Sequence, residues 1–164
     1  FIGSKQENVS RMLQVNDKAP EFSLRDEQGR SFSLASHRGE RLLLVFYPGD
    51  NTPVCTRQLC DYRDGVEAFA GMGVQVVGIS NDDADSHRKF KAKYNLPFIL
   101  LTDADLKTAE RYDSKGLMGM KRSVFLIDEE GVIRYKHIES LALFRRTRDE
   151  LLEVIAGLPN SRAG

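Results

Sequence analysis

The chain has 164 residues, of which 41% are hydrophobic and 29% charged, and its 24 basic side chains balance its 24 acidic ones. This length suits one domain, and the hydrophobic content excludes a mainly disordered chain. Zero formal net charge argues against nucleic acid or an anionic membrane as the main partner. The longest apolar runs, residues 42–47 and 96–101, are too short to span a bilayer.

We predict a single domain over residues 15–157, with a polar N-terminal tail at 1–14 and a short C-terminal tail at 158–164. No intact targeting signal is visible in residues 1–10, so the cytoplasm is the default location.

The first half of the chain alternates strands with helices after an initial hairpin. In chain order we predict a hairpin within residues 22–34, a strand at 41–47, a helix at about 53–70, a strand at 74–79, a helix at 82–94 and a strand at 98–101. The segment 41–47 is almost wholly apolar, which suits a central strand covered on both faces. Thr52 and Pro53 form a helix start, an N-cap followed by proline at the first helical position.

The second half closes with a hairpin and a helix. We predict a short helix at 105–112, hairpin strands at 123–127 and 132–135, and a helix at 148–156. The whole order indicates an α/β fold, a three-layer sandwich with a central mixed sheet, helices on both faces and an N-terminal β-hairpin. In such a sheet the functional site is expected at the carboxyl end of the strand at 41–47.

Cys55 and Cys60 are the two cysteines of the chain. They are too few for a secreted disulfide scaffold or for a cysteine zinc site, and none of the three histidines lies near them in sequence. We therefore expect no metal. An inert buried pair and a reactive pair both remain open.

Cys55 is predicted in the first turn of the helix, as the third residue after the Thr52 N-cap. Unpaired N–H groups and the positive end of the helix dipole favour an anion there, which raises the thiolate fraction of a cysteine. The alternative is that Cys55 is a small core residue at a helix start.

Cys60 follows five residues later. In an unbroken helix this spacing gives a rise of about 7.5 Å and a turn of about 140°, so the two Cα atoms lie roughly 8.5 Å apart. A disulfide needs them within about 7 Å. If the pair is redox-active, the helix must therefore open around Cys60. Otherwise Cys60 is a packing residue beside Leu59 and Tyr62.

The pattern Pro48-x-x-x-Thr52-x-x-Cys55 resembles the active-site motif of the peroxiredoxins. The fuller string FYPGDNTPVCTRQLCDYRD, residues 46–64, resembles the bacterioferritin comigratory protein subfamily, also called peroxiredoxin Q. That subfamily often carries its second cysteine five residues after the first, as in this chain.

The resemblance covers roughly residues 15–157 and implies a thioredoxin-like fold. Two positions depart from the subfamily pattern, since Gly49 and Val54 stand where lysine and glycine are common. Neither position carries a reacting group, so the departures concern the shape of the loop.

The resemblance also implies roles for the residues around Cys55, the peroxide-attacking thiolate. Thr52 would orient the peroxide, Pro48 would shield the thiolate from water, and Arg122 would stabilise the thiolate and the charge that develops in the reaction. Gln58 is a weaker candidate, for arranging Arg122 by a hydrogen bond. Ordinary alternatives remain: Thr52 as a helix cap that accepts the Cys55 N–H, Pro48 as a strand terminator, and Arg122 as a surface residue.

The implied activity is a thiol peroxidase that reduces hydrogen peroxide and organic hydroperoxides. It proceeds through a Cys55 sulfenic acid and a Cys55–Cys60 disulfide, which a thioredoxin-like dithiol reduces. No cofactor is implied, and a monomer is expected, with a weak dimer as the alternative. Two other functions stay open: a redox sensor switched by the same pair, and a thioredoxin-like disulfide reductase, although that class usually carries Cys-x-x-Cys.

Overall fold

The computed structural model describes residues 12–117, 119–139 and 146–158, so most of the two predicted tails, residues 1–11 and 159–164, lies outside it. Its elements in chain order are β1 (Ser23–Asp26), β2 (Ser31–Ser33), β3 (Arg41–Phe46), α1 (Pro53–Asp64), α2 (Val66–Gly71), β4 (Val74–Ser80), α3 (Ala84–Tyr94), β5 (Ile99–Thr102), α4 (Lys107–Arg111), β6 (Lys115–Gly116), β7 (Gly119–Met120), β8 (Ser123–Ile127), β9 (Ile133–Ile138) and α5 (Arg148–Ala156).

Seven of the strands form one mixed sheet in the order β2-β1-β5-β4-β3-β8-β9. β3 and β5 run parallel to β4, whereas β8 pairs antiparallel with β3, and β1 pairs antiparallel with β5. Because β8 runs against β3, its first residue, Ser123, lies opposite Phe46, the last residue of β3. The residue before Ser123 therefore arrives at the carboxyl end of β3, where the cysteine loop begins.

Side chains alternate across β3, as the pleat of a strand requires. Leu43 and Val45 join a cluster that also contains buried residues of α1, α2, α3 and α5. Leu42, Leu44 and Phe46 join a second cluster on the opposite face, with residues of β2 and α4. The predicted three-layer α/β sandwich with a mixed central sheet is confirmed.

The predicted helix at 53–70 is wrong in one respect, because it is two helices, α1 and α2, separated at Gly65. Glycine is the least favourable residue other than proline in a helix interior, which favours a break at this position. The Arg148 side chain, at the start of α5, packs against Gly65, where a Cβ atom would lie 2.1 Å from Arg148 Cδ. A larger residue here would therefore force Arg148 to move.

Three smaller differences concern element ends and short elements. The predicted helix at 105–112 spans Lys107–Arg111, and the strand predicted at 132–135 spans Ile133–Ile138. The hairpin of β6 and β7 was not predicted, since strands of two residues are too short to show alternation. In the described part of the chain, no helix is long and apolar enough to cross a membrane.

Candidate active site

The cysteine loop enters α1 as the sequence predicts. Thr52 has extended backbone angles, φ −78° and ψ 148°, and its carbonyl accepts the first helical bond, from the Thr56 N–H at 2.8 Å. Pro53 occupies the first helical position. Cys55 follows in the first turn with no exposed surface, at the end of the helix where backbone N–H groups favour an anion.

The Thr52 hydroxyl does not cap the helix. No side-chain capping bond forms at Thr52, and Oγ1 instead donates to the carbonyl oxygen of Gly49 at 3.0 Å. The suggested bond from the Cys55 N–H is therefore wrong for this structure. With its proton committed to Gly49, the Thr52 oxygen can still accept a hydrogen bond through its lone pairs. Thr52 is itself exposed, so an incoming molecule can reach it.

Arg122 is buried with 3% of its surface exposed, and it contacts the thiol directly. Its Nη1 donates to Cys55 Sγ at 3.0 Å and to Gln58 Oε1, also at 3.0 Å. The alternative of a solvated surface arginine is therefore wrong. A guanidinium N–H aimed at sulfur stabilises a thiolate by a charge-assisted hydrogen bond, and the neighbouring amide holds the guanidinium in that orientation.

The hydrogen bonds continue from this cluster down α1. Gln58 Nε2 donates to the Tyr62 hydroxyl at 3.0 Å, and that hydroxyl donates to the carbonyl oxygen of Arg146 at 2.6 Å. Gln58 and Tyr62 are four residues apart, so they share one face of the helix. Tyr62 therefore connects the group that orients Arg122 to the segment just before α5.

Cys60 lies half-buried on the same helix, and both cysteines are free thiols. Burial raises the pKa of the Cys60 thiol. The Arg63 charge opposes this rise, and the Asp64 carboxylate adds to it. Since α1 is continuous from Pro53 to Asp64, the structure shows the unbridged state of the pair.

Pro48 is half-buried and follows the end of β3 by two positions. The loop after it is anchored by Asp50, which accepts a hydrogen bond from the Tyr47 hydroxyl at 2.6 Å. The Asp50 N–H in turn donates to Asp82 Oδ2 at 2.7 Å. Burial, together with the nearby charges of Asp50 and Asp82, raises the pKa of Tyr47 well above its usual range, so the phenol stays protonated and donates.

Comparison with known proteins assigns the chain to a protein family. The model of the AhpC/TSA family matches residues 15–136. The chain belongs to the AhpC/TSA family. Peroxiredoxin Bcp from Bacillus subtilis (strain 168) is 42% identical over 127 residues, which are 73% of this chain and 81% of that relative.

Solved structures of the family superpose closely. Peroxidoxin BcpB from Mycobacterium tuberculosis has a TM-score of 0.82 at 28% identity, covering 92% of this chain and 100% of that one. The bacterioferritin comigratory protein of Xanthomonas campestris, described for its alkyl peroxide reduction activity, has a TM-score of 0.75 at 26% identity, covering 82% and 90%. The predicted peroxiredoxin of the Bcp or Q type is confirmed, and with it the thiol-peroxidase class of enzyme.

Within this family site, the sequence pointed to Cys55, Thr52, Arg122 and Gln58 but missed Tyr62 and Asp50. The four-residue spacing of Gln58 and Tyr62 on a predicted helix could have indicated Tyr62. Asp50 gave little local signal, because apart from Tyr47 its partners Asp82, Ser86 and His87 lie more than 30 residues later. In the described residues no group of three or more His, Cys, Asp or Glu side chains could hold a metal ion.

We predict that Tyr62→Phe lowers the free energy of unfolding by about 1 to 3 kcal/mol, because the Gln58 amide and the Arg146 carbonyl each lose a partner. Urea denaturation of the reduced protein measures the change. Tyr94→Phe is the matched control, since Tyr94 packs its ring against Phe90 on α3. Its bond to α1 runs from Arg63 Nη1 to the Tyr94 backbone carbonyl at 2.6 Å, which the substitution keeps. Equal losses of unfolding free energy in the two variants would show that the Tyr62 hydroxyl contributes no more to stability than the Tyr94 hydroxyl.

Proposed function

We propose that this peroxiredoxin reduces hydrogen peroxide and organic hydroperoxides with Cys55 as the attacking group. The observation that carries the proposal is the 3.0 Å contact from the buried Arg122 guanidinium to Cys55 Sγ, at the first turn of α1. A positive group and a helix N-terminus together stabilise a thiolate, which is the nucleophilic form of cysteine. The reported alkyl peroxide reduction of the Xanthomonas campestris protein supports this substrate class.

In the first step the Cys55 thiolate attacks one peroxide oxygen and the O–O bond breaks. The other oxygen leaves as an alkoxide or hydroxide, takes a proton and departs as ROH or water, while Cys55 becomes a sulfenic acid. Arg122 stabilises the charge that spreads from sulfur to oxygen. Thr52 accepts a hydrogen bond from the peroxide O–H, since its own proton is held by Gly49. Pro48 covers the thiolate against water.

In the second step the Cys60 thiol condenses with the sulfenic acid, which forms the Cys55–Cys60 disulfide and releases water. With α1 intact the two Cα atoms lie roughly 8.5 Å apart, beyond the reach of a disulfide. The helix must therefore open locally. Opening that reaches Tyr62 breaks its hydrogen bond to the Arg146 carbonyl together with the helical hydrogen bonds between the two cysteines.

In the third step an external dithiol of the thioredoxin type attacks the disulfide, returns both cysteines to thiols and itself becomes a disulfide. No cofactor takes part. A monomer and a cytoplasmic location remain predictions from the sequence. A redox sensor would use the same switch but would oxidise once and then stall. Sustained consumption of peroxide with excess dithiol therefore supports the enzyme, and a single oxidation without turnover contradicts it.

The cysteine order predicts two different defects. Cys55→Ser should abolish peroxide consumption, because serine is not ionised at neutral pH. Cys60→Ser should keep the first oxidation step and accumulate sulfenic acid, which a dimedone adduct reports by mass spectrometry. After stoichiometric peroxide the unaltered chain should lose two hydrogens in mass. The order is wrong if both variants lose the first oxidation step equally, and the whole proposal fails if the unaltered chain shows no mass change.

We expect Arg122→Met to slow the oxidation of Cys55 by hydrogen peroxide about 100- to 1000-fold, the loss usual for one preorganised donor at a developing charge. Stopped-flow measurement of the second-order rate constant tests this. Arg57→Met removes an exposed arginine from the same helix and serves as the matched control. A rate for Arg122→Met close to that of the control would remove Arg122 from the reaction.

Disulfide formation should accelerate with pH. Burial raises the pKa of Cys60 in the closed helix, and in the opened helix its thiol takes an ordinary pKa of about 8.5. In both states the thiol is mostly protonated at neutral pH, so its thiolate fraction grows about tenfold for each pH unit. The rate of sulfenic acid loss after a peroxide pulse, followed from pH 6 to pH 8, should rise accordingly. A rate independent of pH would mean that helix opening limits this step instead of thiol ionisation.

A further inference from the structure

His87 of α3 has no exposed surface, and both of its ring nitrogens face acceptors. Nδ1 lies 2.7 Å from Asp50 Oδ2, and Nε2 lies 3.1 Å from the carbonyl oxygen of Leu101 in β5. A neutral imidazole carries a single N–H and can donate to only one of them. An imidazolium donates to both.

We propose that His87 is held as an imidazolium in the folded protein and that this buried cation positions the peroxide-binding loop, residues 48–52. The inference rests on the function proposed above, in which Thr52 of this loop receives the peroxide. His87 touches neither substrate nor Cys55 in this scheme. It is a positioning residue that acts through Asp50.

The buried Asp50 carboxylate lies where a positively charged partner would stabilise it. The Asp50 and His87 side chains are 1% and 0% exposed, so a carboxylate at this place is removed from water and needs a charged partner. Its two oxygens accept from the Tyr47 hydroxyl and, at 2.8 Å, from the Ser86 hydroxyl, both of which are neutral donors. Asp82 adds a second carboxylate next to the loop, at the Asp50 N–H.

The other charged groups near α3 are engaged elsewhere. Arg88 and Lys91 on the same helix bind Glu27, and Asp85 pairs with exposed Arg88 and Lys89. Asp103, two residues after Leu101, accepts the N–H groups that start α4. The Asp83 carboxylate accepts the Ser86 N–H as the cap of α3. Among these groups, His87 is the one whose ring nitrogen lies within hydrogen-bond distance of the Asp50 carboxylate.

A short chain of contacts connects this ion pair to Thr52, the residue that receives the peroxide in the proposed function. Asp50 is bound through its carboxylate to α3 and through its N–H to Asp82, which fixes the peptide that joins it to Gly49. The Gly49 carbonyl oxygen holds the Thr52 hydroxyl at 3.0 Å. Without the His87 proton, the buried Asp50 carboxylate would lack a positively charged partner. The peroxide-binding loop, residues 48–52, would then shift. A displacement of about 1 Å in a reacting geometry can cost roughly 100-fold in rate.

The protonation state is measurable on the unaltered chain. In the reduced protein at pH 7, nitrogen NMR of the ring should show protons on both nitrogens of His87, with His37 and His137 as the other histidine signals. A neutral His87 ring at pH 7 would overturn the proposal.

Variants provide the second measurement. His87→Asn should lower the oxidation rate constant about 10- to 100-fold, and Asp50→Asn should turn the His87 ring neutral. His37→Asn is the matched control, because that ring stacks on Phe32 on the other face of the sheet. A His87→Asn rate equal to the control contradicts the proposal. If His87→Asn does not fold, the ring NMR of the unaltered chain decides.

These outcomes can be distinguished from a failure of the proposed function. If the unaltered chain does not react with peroxide at all, the peroxidase proposal fails, whatever the state of His87. If the chain reacts but His87 is neutral, only the positioning role is lost.

Discussion

One hydrogen bond, from Arg122 to Cys55 Sγ, is the contact on which the rest of the site depends. It exists because β8 pairs antiparallel with β3, which carries the residue before β8 to the place where the cysteine loop leaves the sheet. Gln58 then fixes the guanidinium from the side of α1. A change in strand order or in register would leave a buried arginine without its partner, so the sheet and the site are specified together.

The same helix must be closed for one step of the proposed cycle and open for the next. Contacts near its end oppose opening, since the Arg148 N–H donates to Asp61 at 2.7 Å and Tyr62 donates to the Arg146 carbonyl. Each such bond contributes about 1 kcal/mol net. A closing energy of this size keeps Cys55 beside Arg122 while peroxide is absent, and it is small enough for thermal opening once the sulfenic acid has formed.

Local sequence patterns were enough to predict the fold and the reacting cysteine. The apolar segment 41–47 and the Thr52-Pro53 start of α1 are decided by neighbouring residues, so the sequence predicts them directly. Arg122 comes from 67 residues further along the chain, and only its resemblance to a known motif singled it out. His87 and Asp50 are 37 residues apart and carry no such motif. Their pairing depends on how α3 packs on the sheet, and no short segment of the sequence specifies that packing.

Gly65 limits how far the opening of α1 can spread. Phe69 of the next helix, α2, belongs to the large cluster beneath the sheet, together with Leu43 and Val45. Because the two helices are separate at Gly65, unwinding of the first need not propagate into the second. Opening of α1 alone releases Leu59 and Tyr62 from this cluster but leaves Phe69 in place. A single helix opened over 53–70 would release Phe69 as well, so the break at Gly65 limits how much core surface each turnover uncovers.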